Sequence, residues 1–264
     1  IEPRAFALAI AILLCAHSAR GMWTPCRIDH HGWQLALLAV SLAGLVDPMR
    51  ARGGTVLAVS SALSIAIGLE MLPYLAVMGA TLVLMWIRDD GQWPRLAAYG
   101  GALAGGTGLS FLVFASYANR QPVCDALSPV WLSVLVVAGA IAVALALINP
   151  RSSLVRLLLA GVGGVLLAAG FAHFWPDCMG RPEHASPLLD RLWLSHVREA
   201  RPIYMHDLNT IVAVCTLPVF GLLGYAAMLW RHRRDADRLV AWAAVTAPAL
   251  LGAALLLWQS RAGP

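Results

Sequence analysis

The sequence predicts an all-α, polytopic transmembrane bundle of about nine membrane segments, on three observations. The chain is 59% hydrophobic and only 12% charged, against roughly a quarter charged residues in soluble domains. Its apolar residues fall in long runs separated by short polar clusters, not in the alternation that strands would show. All nineteen of its positive side chains are arginine, and they gather near the ends of those runs, where they orient membrane helices. A net charge of +5 therefore needs no nucleic-acid partner, and no basic stripe with interleaved aromatics is present.

The runs are Ala5–Ala19, Trp33–Val46, Thr55–Leu69, Leu72–Ile87, Leu96–Ser116, Pro129–Ile148, Leu154–Trp175, Leu208–Trp230 and Leu239–Gln259. Several fall short of the ~20 residues of a perpendicular span, so their helices are expected to extend into the interface. Between the third and fourth, Gly68-Leu69-Glu70-Met71-Leu72-Pro73 predicts a tight helix–turn–helix, since proline and a carboxylate do not belong in one continuous span. Ile1-Glu2-Pro3-Arg4 lacks the build of a signal peptide, so a fragment or processed chain is expected. The glycine pairs 100–101, 105–106 and 163–164, with Gly161, read as close-packing positions. No linker, repeat or second soluble domain is evident, and residues 1–264 read as one transmembrane domain with a long loop at 176–207.

Counting arginines in alternate loops sets the expected orientation. Eleven (Arg4, Arg50, Arg52, Arg88, Arg95, Arg151, Arg156, Arg231, Arg233, Arg234, Arg238) fall on one side and eight on the other. The first set lies in very short loops, where the positive-inside rule counts most, so that side is taken as cytoplasmic. Asp29-His30-His31, Glu70 and the 176–207 loop then share the outer face, the periplasmic one in a bacterial inner membrane.

Cys15 and Cys215 lie within helical runs and read as packing residues. Cys26, Cys124 and Cys178 fall in outer loops, where an oxidising compartment permits bridges. Cys124–Cys178 is the preferred pair, with three free thiols as the alternative. Zinc held by cysteine is disfavoured, because no Cys-x-x-Cys pair exists.

Polar, metal-competent residues at a membrane rim are a functional-site hypothesis by default. In an extended approach to a helix, Asp29 and His31 point the same way, and a carboxylate with an imidazole suits Mn, Mg or Zn. The plainer alternative is that Asp29 serves the helix dipole. In the long loop, Glu199 between Arg198 and Arg201 is either a local ion-pair cluster or a metal ligand beside phosphate-gripping arginines. His30 and Glu70 are candidates for orienting the site or an acceptor, while a plain structural role for Glu70 at the turn stays equally open.

Asp-His-His at the outer start of a membrane helix resembles the second acidic motif of the catalytic subunits of archaeal and bacterial oligosaccharyltransferases, which are glycosyltransferases of the GT-C fold. The similarity covers the helix order from Ala5 to about Asp207. It implies that Asp29 and His31 help hold a divalent metal, with Glu199 as the loop glutamate reaching the same ion, although Val197-Arg198-Glu199-Ala200 matches the family's Thr-Ile-x-Glu only loosely. The family's first acidic loop and its C-terminal Trp-Trp-Asp-Tyr-Gly motif have no counterpart in these 264 residues. The expectation is thus a metal-dependent glycosyltransferase using a polyprenyl-linked sugar donor and an unspecified acceptor. In the mechanism expected here, Asp29 and Glu199 are the catalytic carboxylates, and Arg198 or Arg201 contacts the donor phosphate. The rival is a transporter in which Asp29, Glu70 and the histidines line an ion or proton path.

Overall fold

The computed structural model describes residues 6–16, 26, 30–180, 186–193, 196–197 and 200–260. Among them the chain is helical, with no strand. The long helices are α1 (Phe6–Cys15), α2 (His31–Leu45), α3 (Arg50–Ile67), α4 (Leu72–Arg88), α5 (Trp93–Phe114), α6 (Pro129–Ile148) and α7 (Ser153–Phe174). After a short α8 (Pro187–Leu192) come α9 (Leu208–Arg231) and α10 (Ala236–Leu255). Each apolar run of the sequence has its helix. Five of these, α5 with its preceding turn, α6, α7, α9 and α10, are long and apolar enough to cross a membrane. Their outer surfaces are apolar and exposed, as at Leu158 and Leu166 on α7 and Phe220 and Leu223 on α9, which makes the chain an integral membrane protein.

Sequence chemistry explains the boundaries. Pro73, Pro94 and Pro129 each fall in the first turn of a helix, where a missing N–H costs nothing. Ser128 caps α6 by accepting from the Val130 amide, and Asp207 caps α9 by accepting from Thr210, meeting amides a helix start leaves unpaired. At its other end, α6 stops on Asn149 in the left-handed region (φ 34°), a conformation asparagine tolerates.

The core sits between α2, α3, α4, α5 and α6, around Leu57, Ile65, Met78, Leu82, Trp86 and Leu96. Glycine lets the backbones close. A side chain at Gly100 would meet the Gly139 carbonyl oxygen at 2.5 Å, and one at Gly139 would meet that of Gly100 at the same distance. Gly54 lies tighter still against the Arg95 carbonyl of α5, and Gly44 lies close against Gly53 and Leu57. Such contacts are the membrane form of helix packing, where van der Waals fit replaces a hydrophobic driving force. Because α3 is central, it also carries buried Ser60, Ser61 and Ser64.

Two arginines counted in the sequence as loop charges are buried. Arg95, in the first turn of α5, donates to the carbonyls of Leu45, the last residue of α2, and Asp47 just beyond it. Arg156, in the first turn of α7, donates to Ile87 at the end of α4 (2.9 and 3.1 Å) and to Pro150 (2.7 Å). Each guanidinium meets carbonyls that a helix C-terminus leaves unpaired and faces the negative end of the dipole. They are structural clamps, not solvent-facing anchors, because their own helices start against neighbouring helix ends. Arg50 with Asp89, and Arg52 with Asp47, close the same end of the bundle.

Candidate metal centre

The opposite end of the bundle holds the polar cluster. There α3 stops at Ile67, Gly68 runs extended (φ 178°, ψ 165°), and α4 restarts at Leu72 with Pro73 in its first turn. The Leu72 amide donates to the Leu69 carbonyl at 2.9 Å, closing the turn and holding Glu70 at its rim. This is the helix–turn–helix that the glycine and proline predict.

Glu70 faces the start of α2. Its Oε1 lies 3.1 Å from His30 Nε2, and its Oε2 accepts from Gln34 Nε2 at 2.8 Å. Gln34 is fully buried one turn into α2, and its Oε1 has no partner. A buried acceptor left unpaired costs about 1–3 kcal/mol, so this amide is held against Glu70 at an expense that apolar packing alone would not require. A Cβ on Gly68 would run into Glu70 Oε2 and stand 3.0 Å from Gln34 Nε2, so the carboxylate is seated from both sides. Burial pushes the Glu70 carboxyl up. The Gln34 donor, the residue's own amide and His30 outweigh it and leave the group below the usual glutamate range, hence ionised near neutrality.

The His30 and His31 rings stack with centroids 4.4 Å apart. His30, at the cap position of α2, makes no side-chain capping bond. One ligand atom from each of His30, His31 and Glu70 lies within 4.8 Å of the other two. Two imidazoles and a carboxylate are a chemically competent donor set for a divalent cation, and the pinned carboxylate fits that use.

His31, a ligand candidate in the sequence, lies beside His30 and Glu70, the candidates for orienting the site or an acceptor. Asp29, Arg198 and Glu199 lie outside the described residues. Arg201 is half-buried beyond α8, and its carbonyl accepts from the Ser260 amide at 2.8 Å, which ties the end of the long loop to the chain after α10. The sequence alone does not single out Gln34. Its signal was a lone amide in an apolar helix, three and four positions beyond the two histidines and so on their face.

Cys124 and Cys178 are joined by a disulfide, with Cα atoms 5.3 Å apart. The bridge ties the loop before α6 to the turn after α7, while Cys26 and Cys215 are free thiols. Beside the cluster, Ile65–Gly68 line a small cleft with Phe114, Asn119 and Asp125. No protein-family model, curated protein or solved structure matches this chain.

Proposed function

We propose that the chain is a membrane-integral glycosyltransferase of GT-C type. It takes a sugar or oligosaccharide from a polyprenyl-phosphate or -pyrophosphate donor and passes it to an acceptor at the face opposite the arginine clamps. All nine long helices cross the membrane in this reading, with the arginine end cytoplasmic and the cluster facing the periplasm of a bacterial inner membrane.

One observation carries the proposal: His30, His31 and Glu70 come together at the rim of a membrane-embedded bundle. A donor whose tail stays in lipid presents its phosphate at that depth. When bound, a divalent cation supplies positive charge that offsets the charge developing on the leaving phosphate. The chain's part is to hold Glu70 ionised through Gln34 and to present the two imidazoles at the rim, with Asp29 assigned to the same cation. Arg198, Glu199 and Arg201 are assigned to the donor phosphate and the cation from the long loop.

The test is consumption of a radiolabelled polyprenyl-linked sugar by the purified chain in vesicles, with and without chelator. Metal-dependent consumption that disappears in Asp29→Asn, His31→Ala and Glu70→Gln is the expected result. Consumption indifferent to chelator and to all three changes refutes the proposal.

A second reading, an ion or proton path, has its own support. Ser41 bonds Ser60 across α2 and α3 at 2.7 Å, and the buried hydroxyls of Ser64 and Thr107 have no partner. Buried hydroxyls thus lie on α2, α3 and α5, with one pair in contact between α2 and α3. Proton flux through the same vesicles without sugar consumption would favour it.

A further inference from the structure

The structure assigns Gln34 as a positioning residue that makes Glu70 a one-oxygen ligand, and so shapes the centre for a borderline d-block cation such as Zn2+ in preference to Mg2+. This rests on the reading of the cluster as a metal centre, and it narrows which cation belongs there.

The geometry starts with the Glu70 carboxylate. Oε2 is taken by the Gln34 amide at 2.8 Å, which leaves Oε1 facing the histidines. Rotation of the carboxylate toward two-oxygen binding would break the Gln34 bond and leave a fully buried amide with neither of its polar atoms paired. Gly68 reinforces the constraint, because its Cα side faces Oε2 with no room for another atom. The carboxylate is therefore held in the orientation in which it offers a single donor.

Donor chemistry then selects the ion. In a tetrahedral centre with bonds of about 2.0–2.1 Å, neighbouring ligand atoms stand about 3.3 Å apart. The observed 3.1 Å between His30 Nε2 and Glu70 Oε1 is close to that edge. His31, whose ligand nitrogen lies within 4.8 Å of both, closes the third corner by side-chain rotation at an open rim. Two imidazoles with one monodentate carboxylate suit zinc and its neighbours. Mg2+ demands an octahedron of oxygens and sheds water reluctantly, so it gains little from two nitrogens. Among the described residues three ligands converge, which in a four-coordinate centre leaves one position for a further ligand or a substrate oxygen.

The experiment uses the full chain in detergent with Co2+ as the spectroscopic probe. Wild type is expected to bind one Co2+ with the intense visible bands of four-coordination, to lose it to equimolar Zn2+, and to keep it in a large excess of Mg2+. Gln34→Met preserves volume and removes the donor. It should weaken Zn2+ binding by roughly 10- to 100-fold, the usual effect of losing an orienting partner. It should also dim the Co2+ bands as the freed oxygen raises the coordination number. Gly68→Ala displaces Oε2 from the other side and should give the same pair of changes, which covers a failure of Gln34→Met to fold.

Displacement of Co2+ by Mg2+, no Co2+ binding by wild type, or wild-type affinity in both variants would each overturn the assignment. So would weaker binding with undimmed bands, since Gln34 would then be only a packing residue. Zinc binding as expected without any sugar consumption would sink the transferase reading alone. Sugar consumption by a chain that binds no Co2+ or Zn2+ would sink this one alone.

Discussion

A buried arginine in a membrane protein is expensive unless every donor finds a partner. Arg95 and Arg156 direct their terminal guanidinium nitrogens at carbonyls at the ends of α2, α4 and α6, while the buried Arg95 Nε has no partner. Replacing Arg95 by methionine keeps the apolar stem and strips two carbonyls of their donor, so the loss should be about 1–3 kcal/mol for each one left buried and unpaired. Thermal unfolding of the detergent-solubilised variant measures it, and an unchanged midpoint would mean that water replaces the guanidinium. Asp47 at the same end titrates in a defined direction. Arg52, bonding both carboxylate oxygens (2.7 and 2.9 Å), and the Met49 amide hold its carboxyl below the usual aspartate range. A depressed folded-state value contributes stability above the unfolded value of about 3.9, and that contribution is lost as pH falls through the lower folded one. Wild type should therefore lose midpoint faster than Asp47→Asn as pH drops below about 4, with the two curves running parallel above it.

Helices were the most legible part of this chain, because an apolar run is a local signal. Pro129–Ile148 matches α6 at both ends, and the break at Gly68–Pro73 appears where glycine and proline put it. α3 and α5 start before the apolar runs that open at Thr55 and Leu96, because Arg50, Arg52 and Arg95 carry no apolar signal. They are helical because the bundle offers each of them carboxylate or carbonyl partners, information that lies more than 40 residues away along the chain for Arg95. Glycines were legible only as a class. Gly100 and Gly139 are in mutual backbone contact, whereas Gly101 and Gly105 face open space, and composition alone cannot separate the two kinds. Gly139→Leu should therefore force α5 and α6 apart and cost several times the effect of Gly105→Leu. Parallel thermal unfolding of the two variants tests this, and equal losses would mean that the crossing is not as tight as the backbone distances require.

At the scale of the whole molecule, chemistry divides by end. Carbonyl-clamping arginines and the Arg50–Asp89 and Arg52–Asp47 pairs close one end; the histidines, Glu70 and the disulfide occupy the other. The sequence marks His31 and Glu70 separately and places them on one face, while the partners it gives His31, Asp29 and Glu199, lie outside the described residues. The contact between His30 and Glu70 spans 40 residues and depends on α2 and α3 running antiparallel through the Gly44–Gly53 contact, a matter of packing that no local pattern records. Gln34 was invisible for the same reason, since its partner is set by the turn beyond α3. Orientation ties these ends to the proposed chemistry, because a donor flipped to the outer leaflet can be used only if the cluster faces outward. The disulfide argues for that side, since such bridges persist in oxidising compartments and not in the cytosol. Single cysteines at Tyr117 and Ser152, both exposed and at opposite ends, decide it in a background lacking Cys15, Cys26 and Cys215. An impermeant maleimide should label Tyr117→Cys in intact spheroplasts and Ser152→Cys only after permeabilisation. The reverse pattern would put the histidines and Glu70 in the cytosol, where a transfer reaction on the outer leaflet has no access to them.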